Sequence, residues 1–537
     1  MNAASLPGGS DGRAGVGRLA RPDGPARAGQ ARTCGTMPHV VIVGGGIAGL
    51  AAAFFLRNAP VRVTLFESSP RIGGKLAVSE LAGMPVDEGA EAMLARRPEG
   101  IDLVDAVGLA GELVSPGTTA AAVWTRGALR PMPGGQLMGV PGDLVALARS
   151  GVLSAPGLAR AGLDLVLPET GRDSDVPVAR QVGARFGHEV VDRLVDPLLG
   201  GVYAGRAGEL SFEATLPGLA AASLNHRTLI GATRSVLAAS RPNARPASTA
   251  RTARPDSTAR PASTAHDPVF TTLAGGLGTL PAAVAAASGA YIRTRAAVRE
   301  LRRTPVGWQL TVGCADEPEC VQADAVVLAV PARPASRLLA AEAPAAGALL
   351  GEIEYASVAI VALAFPRAAF PRPLRGSGYL VPAVERRVVK AVTFSTVKWP
   401  HLASARYPAR RVDGGIACEA VRCSVGRIGE EQVLQRPDEE LVALARRELA
   451  CAVGVGGQPV ASRVTRWGGA LPQYTVGHHG RVARIRAAVA DQPGLAVCGA
   501  AFDGLGIPAC TATAWQAAAQ VLGHLARSRN RPADGGE

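Results

Sequence analysis

The 537-residue sequence is short of lysine, of aromatic residues, of paired cysteines and of long apolar runs, and each scarcity excludes something. Only Lys75, Lys390 and Lys398 stand among the 57 basic residues, and aromatic side chains make up 4%. A nucleic-acid binder needs a clustered basic face with aromatic or base-reading groups among it. The formal charge of +13 is distributed otherwise: residues 1–36 and 241–267 each hold five Arg, two Asp and no aromatic ring. No nucleic-acid partner is expected. The eight cysteines, at 34, 314, 320, 418, 423, 451, 498 and 510, include no CxxC pair. That excludes a zinc site or a small disulfide framework and suggests mostly buried thiols in a reducing compartment. No metal is expected. No charge-free run approaches the ~18 apolar residues that span a bilayer, and the N-terminus lacks the continuous apolar stretch of a secretory signal. A cytoplasmic protein with at most peripheral membrane contact is the expectation.

What the chain does have is length and a 47% hydrophobic content, enough for two or three domains with real cores. Residues 1–36 read as a disordered arm, or as lying upstream of the true start at Met37. The near-repeats ARPASTA, ARPDSTA and ARPASTA at 244–250, 253–259 and 259–265 mark 241–267 as a low-complexity insertion. Residues 100–240 are rich in Leu and Ala and predict a mainly helical subdomain. Strands are predicted at Tyr291–Arg295, Val298–Arg302, Trp308–Val312, Ala325–Val330, Val358–Phe365, Ala391–Phe394, Gly415–Val421 and Leu495–Gly499. Helices are predicted near Asp438–Val453 and over Thr511–Ala526.

The strongest signal is HVVIVGGGIAGLAAAFFLRNAPVRVTLFE, His39 to Glu67. An apolar strand leads into Gly44-x-Gly46-x-x-Gly49, then an Ala/Leu helix, a second strand and an acid. In this arrangement the first glycine makes the turn, the second admits a pyrophosphate, and the third lets helix and strand close up. The phosphates would meet the free N–H groups at the helix start, with Gly45, Ile47 and Ala48 alongside. Glu67, at the end of the second strand, can accept ribose hydroxyls, and an acid there argues against a 2′-phosphate.

Glu67 runs straight into Ser68, Ser69, Pro70, Arg71, Ile72, Gly73, Gly74 and Lys75. This E-x-x-x-R-x-G-G run resembles the second glycine motif of amine-oxidase-like flavoproteins, which implies non-covalent FAD. Four further stretches narrow the resemblance: DPLLGGVYAG (196–205) with Glu209-Leu210-Ser211, LAGGLGTLP (273–281), WGGALPQYTVGH (467–478) and GIPAC (506–510). Together they resemble the protoporphyrinogen/coproporphyrinogen oxidase family, closest to the coproporphyrinogen III oxidases of monoderm bacteria. Lys75, and GAEAML at 89–94, set the chain apart from the mitochondrial type.

The resemblance implies an α/β fold: a Rossmann-type FAD-binding domain assembled from three segments, an α+β substrate domain and the helical subdomain. The expected boundaries are 37–99, 268–345 and 479–530 for FAD, 100–240 for the helical part and 346–478 for substrate, with a tail at 531–537. It implies cofactor contacts at Gly44, Gly45, Gly46, Ile47, Ala48, Gly49, Glu67, Ser68, Arg71, Gly74 and Lys75. Further contacts are implied at Gly89, Ala90, Glu91, Ala92, Val298, Trp467, Gly499, Leu505, Gly506 and Ile507. Arg96 and Arg97 are the candidates for substrate carboxylates, ahead of Lys390, Lys398 and His401; Trp467 and Tyr474 are either cavity walls or core. The implied reaction is six-electron oxidation of coproporphyrinogen III in haem synthesis, with oxygen as acceptor and hydrogen peroxide released. Because the flavin carries the chemistry, no catalytic side chain is assigned. Protoporphyrinogen IX is the alternative substrate, and an amine oxidase or carotenoid desaturase the alternative enzyme. A flavoprotein scaffold handing porphyrin to ferrochelatase is the non-enzymatic alternative.

Overall fold

A computed structural model describes residues 37–168, 174–239, 269–314, 316–403, 411–412 and 416–529. The architecture below belongs to the unit Pro38–Glu537. The expected arm (1–36), insertion (241–267) and tail (531–537) lie outside the described residues.

Val40–Val43 is a run of four apolar residues with no polar alternation, so it needs cover on both faces. It receives that cover at the centre of a five-stranded parallel sheet. The strand order is Tyr291–Arg293, Arg62–Phe66, His39–Val43, Ala325–Leu328, Leu495–Val497. Three distant stretches of chain supply these five strands. Val40, Ile42, Ala325 and Val327 pack on helices Ile47–Leu56, Leu280–Ser288 and Ile507–Arg529. Val41, Val43, Val326 and Leu328 face the other way, onto Trp308 and helices Ala332–Leu339, Pro344–Gly351 and His478–Ala490. An antiparallel sheet of Val298–Thr304, Gly307–Gly313 and Pro318–Ala323 completes that side.

A second, eight-stranded sheet has the order Ala461–Pro472, Tyr355–Pro366, Ile416–Val425, Val389–Phe394, Gly378–Leu380, Ala122–Thr125, Ala128–Pro131, with Arg411–Val412 added beside Ile416–Val425. Val361, Leu363, Cys423 and Val425 bury one face against Leu441, Ala445 and Leu449 of helix Asp438–Val453. That helix begins after Pro437 with three acids in its first turn, which suits the dipole, and stops at Gly454 with φ +72°. On the opposite face Ile360, Ala391, Thr393 and Ser424 are only half-buried, whereas Ala362, Ala364 and Ala420 on that face are covered by Leu81 and Met84.

The stretch 100–240 is less purely helical than its composition predicts. It holds helices such as Leu144–Ser150, Val178–Phe186, Asp196–Tyr203 and Leu229–Ala239, yet Ala122–Thr125 and Ala128–Pro131 form a hairpin that extends the eight-stranded sheet. Arg126 and Gly127 take φ +54° and +74° at its turn, a two-residue connection that matches strand twist. Of the seven described cysteines, 418, 423, 498 and 510 are buried, whereas 314, 320 and 451 are exposed.

Candidate functional site

The three motif glycines have separable jobs. Gly44 takes φ +109°, and a Cβ there would come within 2.6 Å of the Ala329 carbonyl oxygen. A Cβ on Gly49 would overlap the Gly44 carbonyl oxygen, so Gly49 is what lets helix Ile47–Leu56 lie on its own strand. Gly46 differs: nothing stands within 4 Å of where its Cβ would be. It precedes the helix with no side chain capping the helix amides. Open space in front of uncapped N–H donors suits an anionic phosphate.

Glu67 is oriented by two backbone donors, Gly45 N–H at 2.7 Å and Ser69 N–H at 2.7 Å. A carboxylate has about four acceptor positions, so capacity remains for ribose hydroxyls. The Ala296 N–H donates to the Glu67 carbonyl at 2.9 Å, which brings the 291–298 stretch, with Val298 opening its strand, to the Glu67 end of the site.

The RIGG loop folds back onto the first glycine turn. Gly73 N–H donates to the Gly45 carbonyl at 2.8 Å, and Gly74 lies against Gly46. Arg71 donates to the Gly74 carbonyl at 2.7 Å and lies 5.6 Å from the Trp467 ring centroid. Trp467 itself is fixed by its indole N–H on the Glu88 carbonyl at 2.8 Å and faces Gly89. Gly89 must be glycine, because a Cβ would overlap the Lys75 carbonyl oxygen. Burial lowers the Lys75 pKa, with the Cys510 thiol beside it. Gly499, at φ +121°, lies against Ala48, so the third segment reaches the first; Leu505, Gly506 and Ile507 then lead into the helix Ile507–Arg529. One glycine-lined cradle therefore joins the residues expected at the phosphates, the ribose and the far end of a dinucleotide.

The Glu91 side chain makes two ion pairs within the protein. Its carboxylate is held by Lys398 and by Arg422, which also donates to the Gly89 carbonyl at 2.7 Å. These two cations hold the Glu91 pKa down to about 2 against the opposing effect of burial. Arg422 has no counterpart among the sequence candidates, although one Arg in the apolar run Ala420–Cys423 is a signal of its own. Of the substrate candidates, Arg97 is exposed and paired with Glu99 at 2.7 Å, and Arg96 is exposed. His401 lies 6.4 Å from Trp399, ring to ring, and lines a cleft with Arg422. Tyr474 is core: it is 1% exposed, donates to the Ala500 carbonyl at 2.7 Å and stacks on His478 at 4.0 Å. His478 bonds the Phe502 carbonyl at 2.9 Å, and burial brings its pKa to about 4, so it is neutral at pH 7.

The shared stretches of sequence turn out to be fasteners between segments. Asp87 accepts from Leu277 N–H at 3.0 Å and Gly278 N–H at 2.9 Å, tying LAGGLGTLP to the strand Met84–Asp87. Gln473 donates to the Tyr203 carbonyl at 2.8 Å, and a Cβ on Gly205 would overlap its side-chain oxygen. Ser211 N–H donates to the Tyr474 carbonyl at 2.8 Å. Among the described residues no group of His, Cys, Asp and Glu is placed to hold a metal ion, and no helix is long and apolar enough to cross a membrane.

A five-stranded parallel sheet covered on both faces and carrying this cradle defines a flavin-dependent oxidoreductase, and the residues present fit FAD. Residues 47–522 match the flavin-containing amine oxidoreductases, and the chain belongs to that family. It is 38% identical over 487 residues to the coproporphyrinogen III oxidase of Mycobacterium bovis, covering 90% of this chain and 96% of that one. The coproporphyrinogen III oxidase of Bacillus subtilis is 31% identical over 497 residues, covering 91% and 98%. A solved structure from Exiguobacterium sp. 255-15 superposes with a TM-score of 0.75 at 27% identity, over 91% of this chain and 99% of that one.

Proposed function

We propose that this chain oxidises coproporphyrinogen III to coproporphyrin III, removing six electrons and six protons, with three molecules of oxygen reduced to hydrogen peroxide. The observation that carries the reading is the extent of the likeness to coproporphyrinogen III oxidases. It runs through both large sheets and is not confined to the glycine turn. Bound FAD supplies hydride acceptance and reoxidation by oxygen. The chain's own residues bind and orient. Gly46 and the uncapped helix behind it hold the phosphates, Glu67 the ribose, and Val298 the adenine side. Ser68, Arg71, Gly74, Lys75, Gly89 to Ala92, Trp467, Gly499 and Leu505 to Ile507 surround the rest. Burial keeps Cys498 and Cys510 as thiols, Cys510 with its pKa raised to about 11, which favours non-covalent FAD. The half-buried sheet face around Ile360, Ala391 and Ser424 would receive the macrocycle, and Arg96 and Arg97 remain the candidates for its carboxylates. The protein works in the cytoplasm and passes product to a ferrochelatase in transient contact.

The test is anaerobic mixing of the yellow holoprotein with coproporphyrinogen III, protoporphyrinogen IX and simple amines while flavin absorbance is followed. Bleaching by coproporphyrinogen, with kcat/KM at least about ten-fold above that for protoporphyrinogen, is expected from one extra charge-assisted contact. Bleaching by amines alone refutes the reading. Equal values for both porphyrinogens refute the substrate choice. An Arg96→Ala/Arg97→Ala variant should narrow the preference.

A further inference from the structure

A cavity of about 150 Å³ opens between helix Asp196–Tyr203 and the paired strands Gly378–Leu380 and Val389–Phe394. Lys390 lines it at 3% exposure, and its Nζ has no hydrogen-bond partner among the described residues. The register shift between Val389 and Ala391 takes Lys390 out of the regular strand alternation, and such bulges commonly re-aim a side chain. Lys390 makes no ion pair among the described residues, and Glu430 acts on it only at longer range. Arg427, also in the lining, donates to the Arg387 carbonyl at 3.1 Å and the Val381 carbonyl at 3.0 Å, and reaches Glu430 only at 3.5 Å. Asp196 is committed to the Ala207 N–H at 2.9 Å, while Asp192 and Arg206 complete the charged lining. A buried ammonium without a partner is costly, and an apolar side chain of equal length would avoid that cost.

We propose that Lys390, backed by Arg427, forms a carboxylate-binding subsite that takes one propionate of the tetrapyrrole. The placement fits the half-buried part of the sheet face: Ala391 follows Lys390 and pairs with Leu380 and Ser424, and Gly201, next to the cavity-lining Gly200, faces Leu380. An ammonium offers three donors and full charge to a carboxylate, the hydrogen-bonded partner that Lys390 Nζ lacks among the described residues. This inference rests on the functional reading above, because it takes the ligand from it.

The experiment titrates FAD-loaded full-length wild type, Lys390→Met and Lys390→Arg with coproporphyrin III, read by fluorescence quenching. Melting temperature and bound FAD are measured in parallel. The expected result is about ten-fold or more weaker binding in Lys390→Met, near-wild-type binding in Lys390→Arg, unchanged FAD, and a melting temperature in Lys390→Met at or above wild type. The combination of weaker ligand and undiminished stability separates a binding lysine from a structural one. If Lys390→Met sheds flavin, Lys390→Gln is read in its place. Wild-type affinity in the apolar variant overturns the subsite. If sodium acetate raises the melting temperature of wild type alone while porphyrin affinity is equal in all variants, the cavity takes a free small anion and the tetrapyrrole assignment is overturned. A wild type that neither binds coproporphyrin nor is bleached by coproporphyrinogen refutes the functional reading itself, a result distinct from an indifferent Lys390 in an active enzyme.

Discussion

Gly46 and Gly49 sit three residues apart and answer to opposite constraints. A side chain on Gly49 collides with the Gly44 carbonyl in the folded protein, so Gly49→Ala should lower the melting temperature before any cofactor is considered. Gly46→Val meets only open space, so the apoprotein should fold with unchanged melting temperature and fail to retain FAD in equilibrium dialysis. Glu91 and Lys390 make contrasting pH predictions. The Glu91 pKa is depressed to about 2, so its ion pairs stabilise the fold above the ordinary carboxylate range and are lost as pH falls through 2. Glu91→Gln should flatten acid unfolding between about pH 4.5 and 2. Burial and the nearby Arg427 push the Lys390 pKa down to about 7. The unfolded chain then binds more protons than the folded one from about pH 7 to 10.4, and stability should rise across that window. Lys390→Met should abolish the rise, read by urea unfolding at pH 7 and pH 10. The phosphate turn was legible because its residues are contiguous. Arg422 and Lys398 were not tied to Glu91 in advance, since a contact between residues more than 300 positions apart leaves no local trace.

At the scale of elements, legibility followed how much of an element's stability is local. Asp438–Val453 carries its own start signals, its acids and its stop at glycine, and its predicted and observed bounds agree. The strands of the parallel sheet announced themselves as apolar runs. The hairpin Ala122–Pro131 did not, because its Ala and Leu content resembles the helices around it and its strand character comes from pairing with Gly378–Leu380. The Asp164–Arg185 pair is a buried anchor of the helical region. Asp164 also accepts from Leu229 N–H at 3.2 Å and Ile230 N–H at 2.9 Å, which fixes the start of helix Leu229–Ala239. Asp164→Ala removes the buried carboxylate that accepts from Arg185, Leu229 N–H and Ile230 N–H, and should cost about 3–5 kcal/mol of stability in chemical denaturation.

For the molecule as a whole, the motifs that carry the family likeness divide between ligand contact and fastening. Gly46, with open space before uncapped helix amides, is proposed for the first; Gln473 on Tyr203, and Asp87 on Leu277 and Gly278, belong to the second. Residues 1–36 and 241–267 carry none of these motifs and no large apolar run in their sequence. Their joint deletion should leave FAD content and turnover intact, checked by absorbance and by porphyrin fluorescence; loss of either would assign them a role.

The order of strands in the parallel sheet also sets a timetable for biosynthesis. Ala325–Leu328 acquires its outer neighbour only when Leu495–Val497 arrives, some 170 residues later in the chain. At about 5–20 residues per second, the ribosome holds a fully apolar strand edge uncovered for roughly 10–30 s. Through that interval the edge is a template for pairing with other nascent chains, a hazard that chaperones must cover. A message truncated before residue 495 would make the exposure permanent, yielding an aggregating polypeptide rather than a smaller flavoprotein.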